Sequence, residues 1–214
     1  MTALEDALRS PHSSARLQAV MAAGVRAEAS DLDALIARCA IEPDFSVRDT
    51  LTWALTRIPR SLAVPAVVAE LARPEAQARS QALHTLSKIG DPAAWPAVSE
   101  SLSDTDDGVA RAAWRAAVIL APGDERPALA TRLAKQLGHG SRETQASLSR
   151  ALVALGADLV EPLLARAAAS RVDTVRDHAE ATLQLLRDPD VGSSLAVAYA
   201  RREVALGRTR SARG

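Results

Sequence analysis

An arginine returns along this chain at a nearly constant interval. Arg16, Arg48, Arg79, Arg111 and Arg176, with Gln145 holding the fifth place, are separated by 32, 31, 32, 34 and 31 residues. Each sits in a similar segment, among them SVRDTLTWALTRIP, AQARSQALHTLSKIG and DTVRDHAEATLQLL. A second column keeps the same phase: proline stands at 65, 96, 127 and 162, and Ala34 occupies the equivalent place before Pro65. Both columns lengthen in the fifth unit, which predicts an insertion around QLGHGSR. A period this short holds two helices and their turns, and such a pair cannot bury its apolar face alone. Neighbouring pairs must stack, so the core is continuous along the chain and stability is roughly a nearest-neighbour sum.

The helical wheel agrees. At 100° per residue from each arginine, positions −1, +3, +6, +7 and +10 fall on one side. They read Val47, Leu51, Ala54, Leu55 and Ile58 in one unit, and Ala78, Ala82, Thr85, Leu86 and Ile89 in the next. The proline column is expected to open the first helix of each pair, where a missing N–H is harmless. Ser13, Asp44, Glu75, Asp107, Ser141 and Asp173 are expected to cap the second helices, and Pro59, Gly90 and Gly156 to stop three of them. Arg48 with Asp44 and Arg111 with Asp107 read as ion pairs one turn apart. A ladder of such pairs between units would fix their stacking. The core is small-residue and nearly free of aromatics, with three Trp, one Tyr and one Phe in 214 residues. No sustained period-two alternation marks a strand.

The proline column, the acid before the arginine, the VR at the anchor and the small–Leu–Ile/Leu–Gly ending together resemble the HEAT-repeat superfamily. The likeness is to its short phycobilisome-lyase HEAT-like form, with DPAAWPAV and HTLSKIGD near the consensus. The stretch FSVRDTLTWALTRIP is also similar to actinobacterial HEAT-repeat proteins, some of them fused to MerR-type regulators; no such DNA-binding region stands in this sequence. The ankyrin TPLHxA and the tetratricopeptide pattern are both missing. The resemblance implies an all-α, right-handed α-α superhelix of about six helix pairs at 2–26, 29–59, 61–90, 92–121, 123–156 and 157–187. A capping helix is expected at 190–206, closing one domain over 1–206, and 207–214 reads as a disordered basic tail.

Few residues signal chemistry. The histidines, His12, His84, His139 and His178, fall in different units and never at i, i+3 or i+4, so no metal site is read. No GxSxG, P-loop or GxGxxG occurs. HEAT-repeat hydroxylases of the deoxyhypusine type use His-Glu pairs, and no His-Glu dipeptide is present. The expectation is a protein that is not an enzyme and needs no cofactor. Cys39, the single cysteine, reads as a small core residue. The N-terminal MTALEDALRS lacks an apolar signal core and no long apolar window occurs, so a cytoplasmic protein without membrane contact is expected. Lys88 and Lys135 are the two lysines; the remaining basic residues are arginine, which points to a GC-rich bacterial genome.

In the implied superhelix the second helices line the concave surface, and offsets +1, +4, +5 and +8 point away from the core. That column yields a candidate binding surface of Met21, Asp49, Thr52, Trp53, Leu83, His84, Arg115 and Arg150. Its start is apolar and aromatic, its middle basic. Trp, Met and Arg are the types enriched at interfaces. Trp53 is the open question, since it can equally pack as an edge of the core; Trp114 reads as core and Trp95 as packing between units. The reading is a non-catalytic interaction or scaffold module holding a protein or peptide in its groove. The alternative is a nucleic-acid-binding protein related in fold to the alkylpurine DNA glycosylases. A formal charge of zero, from 26 basic and 26 acidic residues, argues against it. A chromophore-lyase role has only the resemblance behind it.

Overall fold

The computed structural model describes residues 2–188. Among them every regular element is helical. The order is α1 (Ala3–Leu8), α2 (Ser13–Arg26), α3 (Leu32–Ile41), α4 (Phe45–Arg57), α5 (Arg60–Ala69), α6 (Ala76–Ile89), α7 (Trp95–Glu100) and α8 (Asp107–Leu120). It continues with α9 (Arg126–Ala134), α10 (Arg142–Leu155), α11 (Ala157–Ala168) and α12 (Asp173–Arg187). These are six helix pairs, as the repeat register requires, in an all-α solenoid fold. The chain groups into two compact units that meet within α9, residues up to Leu129 and residues from Ala130 onward. The expected capping helix and basic tail lie outside the described residues.

In the first unit the second helices α2, α4, α6 and α8 pack side by side, while α3, α5 and α7 cover them. The predicted stripe forms the core: Val47, Leu51, Ala54, Leu55, Ile58, Ala78, Ala82, Leu86 and Ile89 are all buried. Trp114 and Trp95 are buried too, and the Trp114 indole N–H donates to the Leu102 carbonyl at 2.9 Å. Cys39 is buried, and burial foremost pushes its thiol up to about 12, so it is an inert core atom. In the second unit α12 packs on α10 and α11.

The anchor arginines hold the turns. Nη1 of Arg48 donates to the Glu42 and Pro43 carbonyls at 2.9 and 2.8 Å. Nη1 of Arg79 does the same to Arg73 and Pro74, and Nη1 of Arg16 to Ser10 and Pro11. Those carbonyls lie six and five residues back, in the turn before each second helix, where no helical partner reaches them. Gln145 reaches Gly138 and Gly140 in the same way. This corrects the expected Arg48–Asp44 pair. Asp44 instead caps its helix by accepting from the Val47 N–H.

The ladder between neighbouring units uses other acids. Arg16 grips Glu42 through Nε at 2.8 Å and Nη2 at 2.7 Å, and Arg79 grips Asp104 at 2.9 and 3.0 Å. Glu42 is fully buried and also accepts from Arg38 Nε at 2.7 Å and from the Asp44 N–H at 2.9 Å. Burial pushes its carboxyl up, but the bonds from Arg16, the Asp44 amide and Arg38 outweigh that and hold it at about 2.

Two other expectations change. Pro96 and Pro127 do stand at the second residue of α7 and α9, but Pro65 and Pro162 lie inside α5 and α11. All four are exposed, so the carbonyl each leaves without its helical partner is on the wet side of a first helix, where the loss is small. Of the expected caps, Asp44 and Ser141 bond the helix amides. Glu75 holds the cap place without a side-chain bond. His12, Asp106 and Val172 occupy the caps expected at Ser13, Asp107 and Asp173, one residue earlier.

Candidate functional site

The outward face of α2, α4, α6 and α8 carries the candidate surface of the first unit. Its centre is Trp53, 41% exposed. The indole rests on α2 at Gly24: a methyl group built there would lie 2.8 Å from Cε3 and 2.9 Å from Cη2, and closer still to Cζ3. Carbon atoms pack at about 3.5–4.0 Å, so only glycine leaves room for the ring at its observed place. Met21 and Val25, three residues before Gly24 and one after it, are 51% and 77% exposed. Trp53 is therefore neither a core residue nor a free side chain. It is a half-exposed ring seated in a notch of the neighbouring helix, beside two exposed apolar groups.

Two expected members of this face are not on it. Leu83 is 0% exposed and Thr52 3%. Offset +4 lies some 60–70° round the wheel from the outward direction, on the flank that the next second helix covers in α2, α4 and α6. Val20, at the same offset, is likewise buried, whereas Arg115, at that offset on α8, is exposed. The Thr52 hydroxyl accepts from Gln81 Nε2 at 2.7 Å and lies 3.2 Å from the Thr85 hydroxyl. It is seam between α4 and α6, and it corrects the expectation for both residues.

Asp49, His84 and Arg115 do reach the surface. Asp49 and Arg115 are exposed and His84 is half-buried. His84 Nε2 is 3.9 Å from Asp49 Oδ1. Burial first, then the Lys88 cation, pushes the imidazole down; Asp49 opposes them and Arg115 adds to the fall. Burial thus favours the neutral imidazole, and its 3.9 Å approach to Asp49 is too long for a hydrogen bond.

Arg150, the remaining candidate, is exposed on α10 in the second unit. The polar centre of that unit is His178, which the repeat register left aside. Its Nδ1 accepts from the Gly138 N–H at 3.0 Å, and its Nε2 lies 3.0 Å from the Gln145 carbonyl and 3.1 Å from the Ser149 hydroxyl. An accepting Nδ1 requires the neutral ring with its proton on Nε2. The clamp ties the inserted loop after α9 to α12. Gly138 has φ +81°, and a side chain there would strike Val175. Burial pushes His178 down.

Gly24 is a residue of this surface that the sequence analysis did not name. Gly24 had a weak signal in the sequence, since a glycine inside a helical pattern costs about 1 kcal/mol against alanine and so asks for a packing reason. Among the described residues no three His, Cys, Asp or Glu side chains gather as metal ligands, and no helix is long and apolar enough to cross a membrane.

Comparison with known proteins follows the repeat. A family model for HEAT repeats matches residues 32–119. The chain is similar to the complex of CpcE and CpcF of phycocyanin lyase from Nostoc sp. PCC7120, at 23% identity and a TM-score of 0.48, over 86% of this chain and 75% of that one. It is also similar to two engineered proteins. One is 18% identical with a TM-score of 0.47, over 87% of this chain and 99% of that one. The other is 20% identical with a TM-score of 0.45, over 87% and 97%. No curated protein sequence matches.

Proposed function

We propose that this chain, whose residues 32–119 are HEAT repeats, is a non-catalytic scaffold that binds a protein segment on the concave face of its second helices. The observation that carries the reading is the seating of Trp53. A large aromatic ring is left 41% exposed although the fold has shaped a glycine notch for it. Its place is thereby fixed before any partner arrives, and a pre-positioned aromatic loses little freedom on binding. Met21 and Val25 widen the apolar contact, and Asp49, His84 and Arg115 supply polar groups around it. Such an arrangement, an aromatic anchor with a polar rim, is what binding hot spots share.

The test is co-purification from the native cells with wild type and with a Trp53→Ala/Arg115→Glu variant whose helical circular dichroism and melting match the wild type. The expected result is loss of at least one partner from the variant, reproduced by Trp53→Ala alone. Identical partner sets from the two proteins end the reading.

A further inference from the structure

One seam in each unit is built to a single plan, with one residue exchanged. Between α4 and α6, Gln81 Nε2 donates to the Arg48 carbonyl at 3.2 Å and to the Thr52 hydroxyl at 2.7 Å, and Thr52 lies 3.2 Å from Thr85. Between α10 and α12, His178 Nε2 meets the Gln145 carbonyl at 3.0 Å and the Ser149 hydroxyl at 3.1 Å, and Ser149 lies 2.8 Å from Thr182. Counted from the anchors the places are identical: +2 and +6 on the later helix, the anchor carbonyl and +4 on the earlier one. An amide therefore suffices for the seam. The imidazole adds Nδ1, which accepts from the Gly138 N–H at 3.0 Å. Gly138 belongs to the loop of residues 135–141, where the fifth unit is longer than the others. This loop lies against the start of α12, since a side chain at Gly138 would come within 2.9 Å of the Val175 side chain and backbone nitrogen. Leu137 beside it is 1% exposed. Gln145 Nε2 also reaches the loop, at the Gly138 and Gly140 carbonyls, but at 3.4 Å, longer than an ordinary N–H···O bond.

We propose that residues 135–141 are a strap over the start of α12, latched by the neutral imidazole of His178 and released when that ring takes up a proton. The neutral ring accepts at Nδ1 and donates at Nε2, which suits an N–H on one side and a carbonyl on the other. The protonated ring donates at both nitrogens and meets the Gly138 N–H donor to donor. Its charge would also be stranded, because the ring is 5% exposed while the charged groups of the elements around it are turned to water. Lys135 and His139 of the strap, Arg142, Glu143 and Arg150 of α10, Asp158, Glu161 and Arg166 of α11, and Asp173, Asp177, Glu180 and Arg187 of α12 are exposed. Arg176 is held by Asp173 and Asp177. Burial pushes the imidazole below its ordinary 6.5, and the Gln145 carbonyl opposes it. The latch thus holds above pH 6.5 and weakens as pH falls below it. The Gln81 seam has no proton to gain. Lifting the strap uncovers Leu137 and Val175, so acid gives the second unit an apolar surface that it hides at neutral pH.

The full chain is followed by amide hydrogen exchange with mass spectrometry at pH 7.5 and pH 5, the rates corrected for the intrinsic effect of pH. Expected is a loss of protection of about tenfold across 135–141, with the α4 and α6 peptides around Gln81 unchanged. His178→Gln keeps a donor and an acceptor but cannot be protonated, and is expected to protect the strap equally at both pH values. His139→Gln, on the strap itself, keeps the fall. Should His178→Gln fail to fold, the imidazole nitrogen shifts of the unaltered protein decide the matter, with a bare Nδ1 and a proton on Nε2 expected at pH 7.5. Equal protection of the strap at both pH values in the unaltered protein overturns the proposal. So does the same fall in His178→Gln, its disappearance in His139→Gln, or a proton on Nδ1 at pH 7.5. A parallel loss around Gln81 is acid unfolding of the whole chain and overturns it as well.

Discussion

Gly24→Ala is the sharpest probe of the Trp53 seat. In the middle of a helix this change normally stabilises by about 1 kcal/mol, because alanine loses less backbone freedom and shields the helix. Here the new methyl meets the indole at 2.8 and 2.9 Å, and closer at Cζ3. The ring must withdraw by about 1 Å to regain ordinary contact, and overfilling of this kind costs about 1–3 kcal/mol. The net expectation is a loss of about 1 kcal/mol in the wild type and a gain of about 1 kcal/mol in a Trp53→Ala background. The double-mutant cycle then gives a coupling of about 2 kcal/mol. Urea melts of the four proteins measure it. Fluorescence follows the ring directly: Trp95 and Trp114 are buried, so a red shift and easier acrylamide quenching in Gly24→Ala report Trp53. Were Gly24→Ala to stabilise both backgrounds equally, with the emission unmoved, the notch would be no seat.

Three further places in the fold give measurable outcomes. Glu42→Gln leaves the buried Arg16 guanidinium without its carboxylate and is expected to cost about 3 kcal/mol; a loss under 1 kcal/mol in urea melts would contradict the hub. Because Glu42 is held at about 2 against an ordinary 4.5, its stabilisation, about 3 kcal/mol, is complete above pH 4.5 and drains away as pH falls toward 2. In Glu42→Gln that part of the acid melting curve flattens. His178 is depressed by burial, so its contribution is present above the unfolded value near 6.5 and is lost as pH falls below it. The Gly138 amide, protected from exchange at pH 7.5, opens first on acidification, and His178→Phe abolishes that dependence; an amide equally protected at pH 5 and 7.5 contradicts the clamp. Pro65→Ala returns an N–H to the Ser61 carbonyl inside α5 and is expected to stabilise by about 1 kcal/mol, so a lowered melting temperature counts against the helix drawn through Pro65.

What the sequence made legible is what the repeat enforces. A stripe at −1, +3, +6, +7 and +10 recurs in several copies, and each copy averages out accidents in the others, so Leu51, Leu55, Ala82 and Leu86 could be placed in the core. The site was harder, because it depends on which flank of a helix its neighbour covers. Thr52 and Trp53 are adjacent in the chain and equally distant from the apolar stripe by eye, yet one is 3% and the other 41% exposed. The 100° between them separates a flank facing the next helix from a face turned outward. The Glu42 hub had no signal, since its partners Arg16 and Arg38 lie 26 and 4 residues away and nothing in composition marks which acid turns inward. Gly24 is the instructive case. Its residue type asked for a packing reason, and the ring that supplies it comes from the next repeat, 29 positions on. In a repeat protein such cross-repeat pairs are nearest neighbours in space by construction. An isolated helical glycine should therefore be compared with the large residues one period later before any other partner is sought. Applied to Gly24, with a period of 31 or 32, that comparison reaches Leu55 and Thr56 directly and Trp53 within one turn. The register alone thus narrows the partner to a few side chains, of which Trp53 is the bulky apolar one that faces outward.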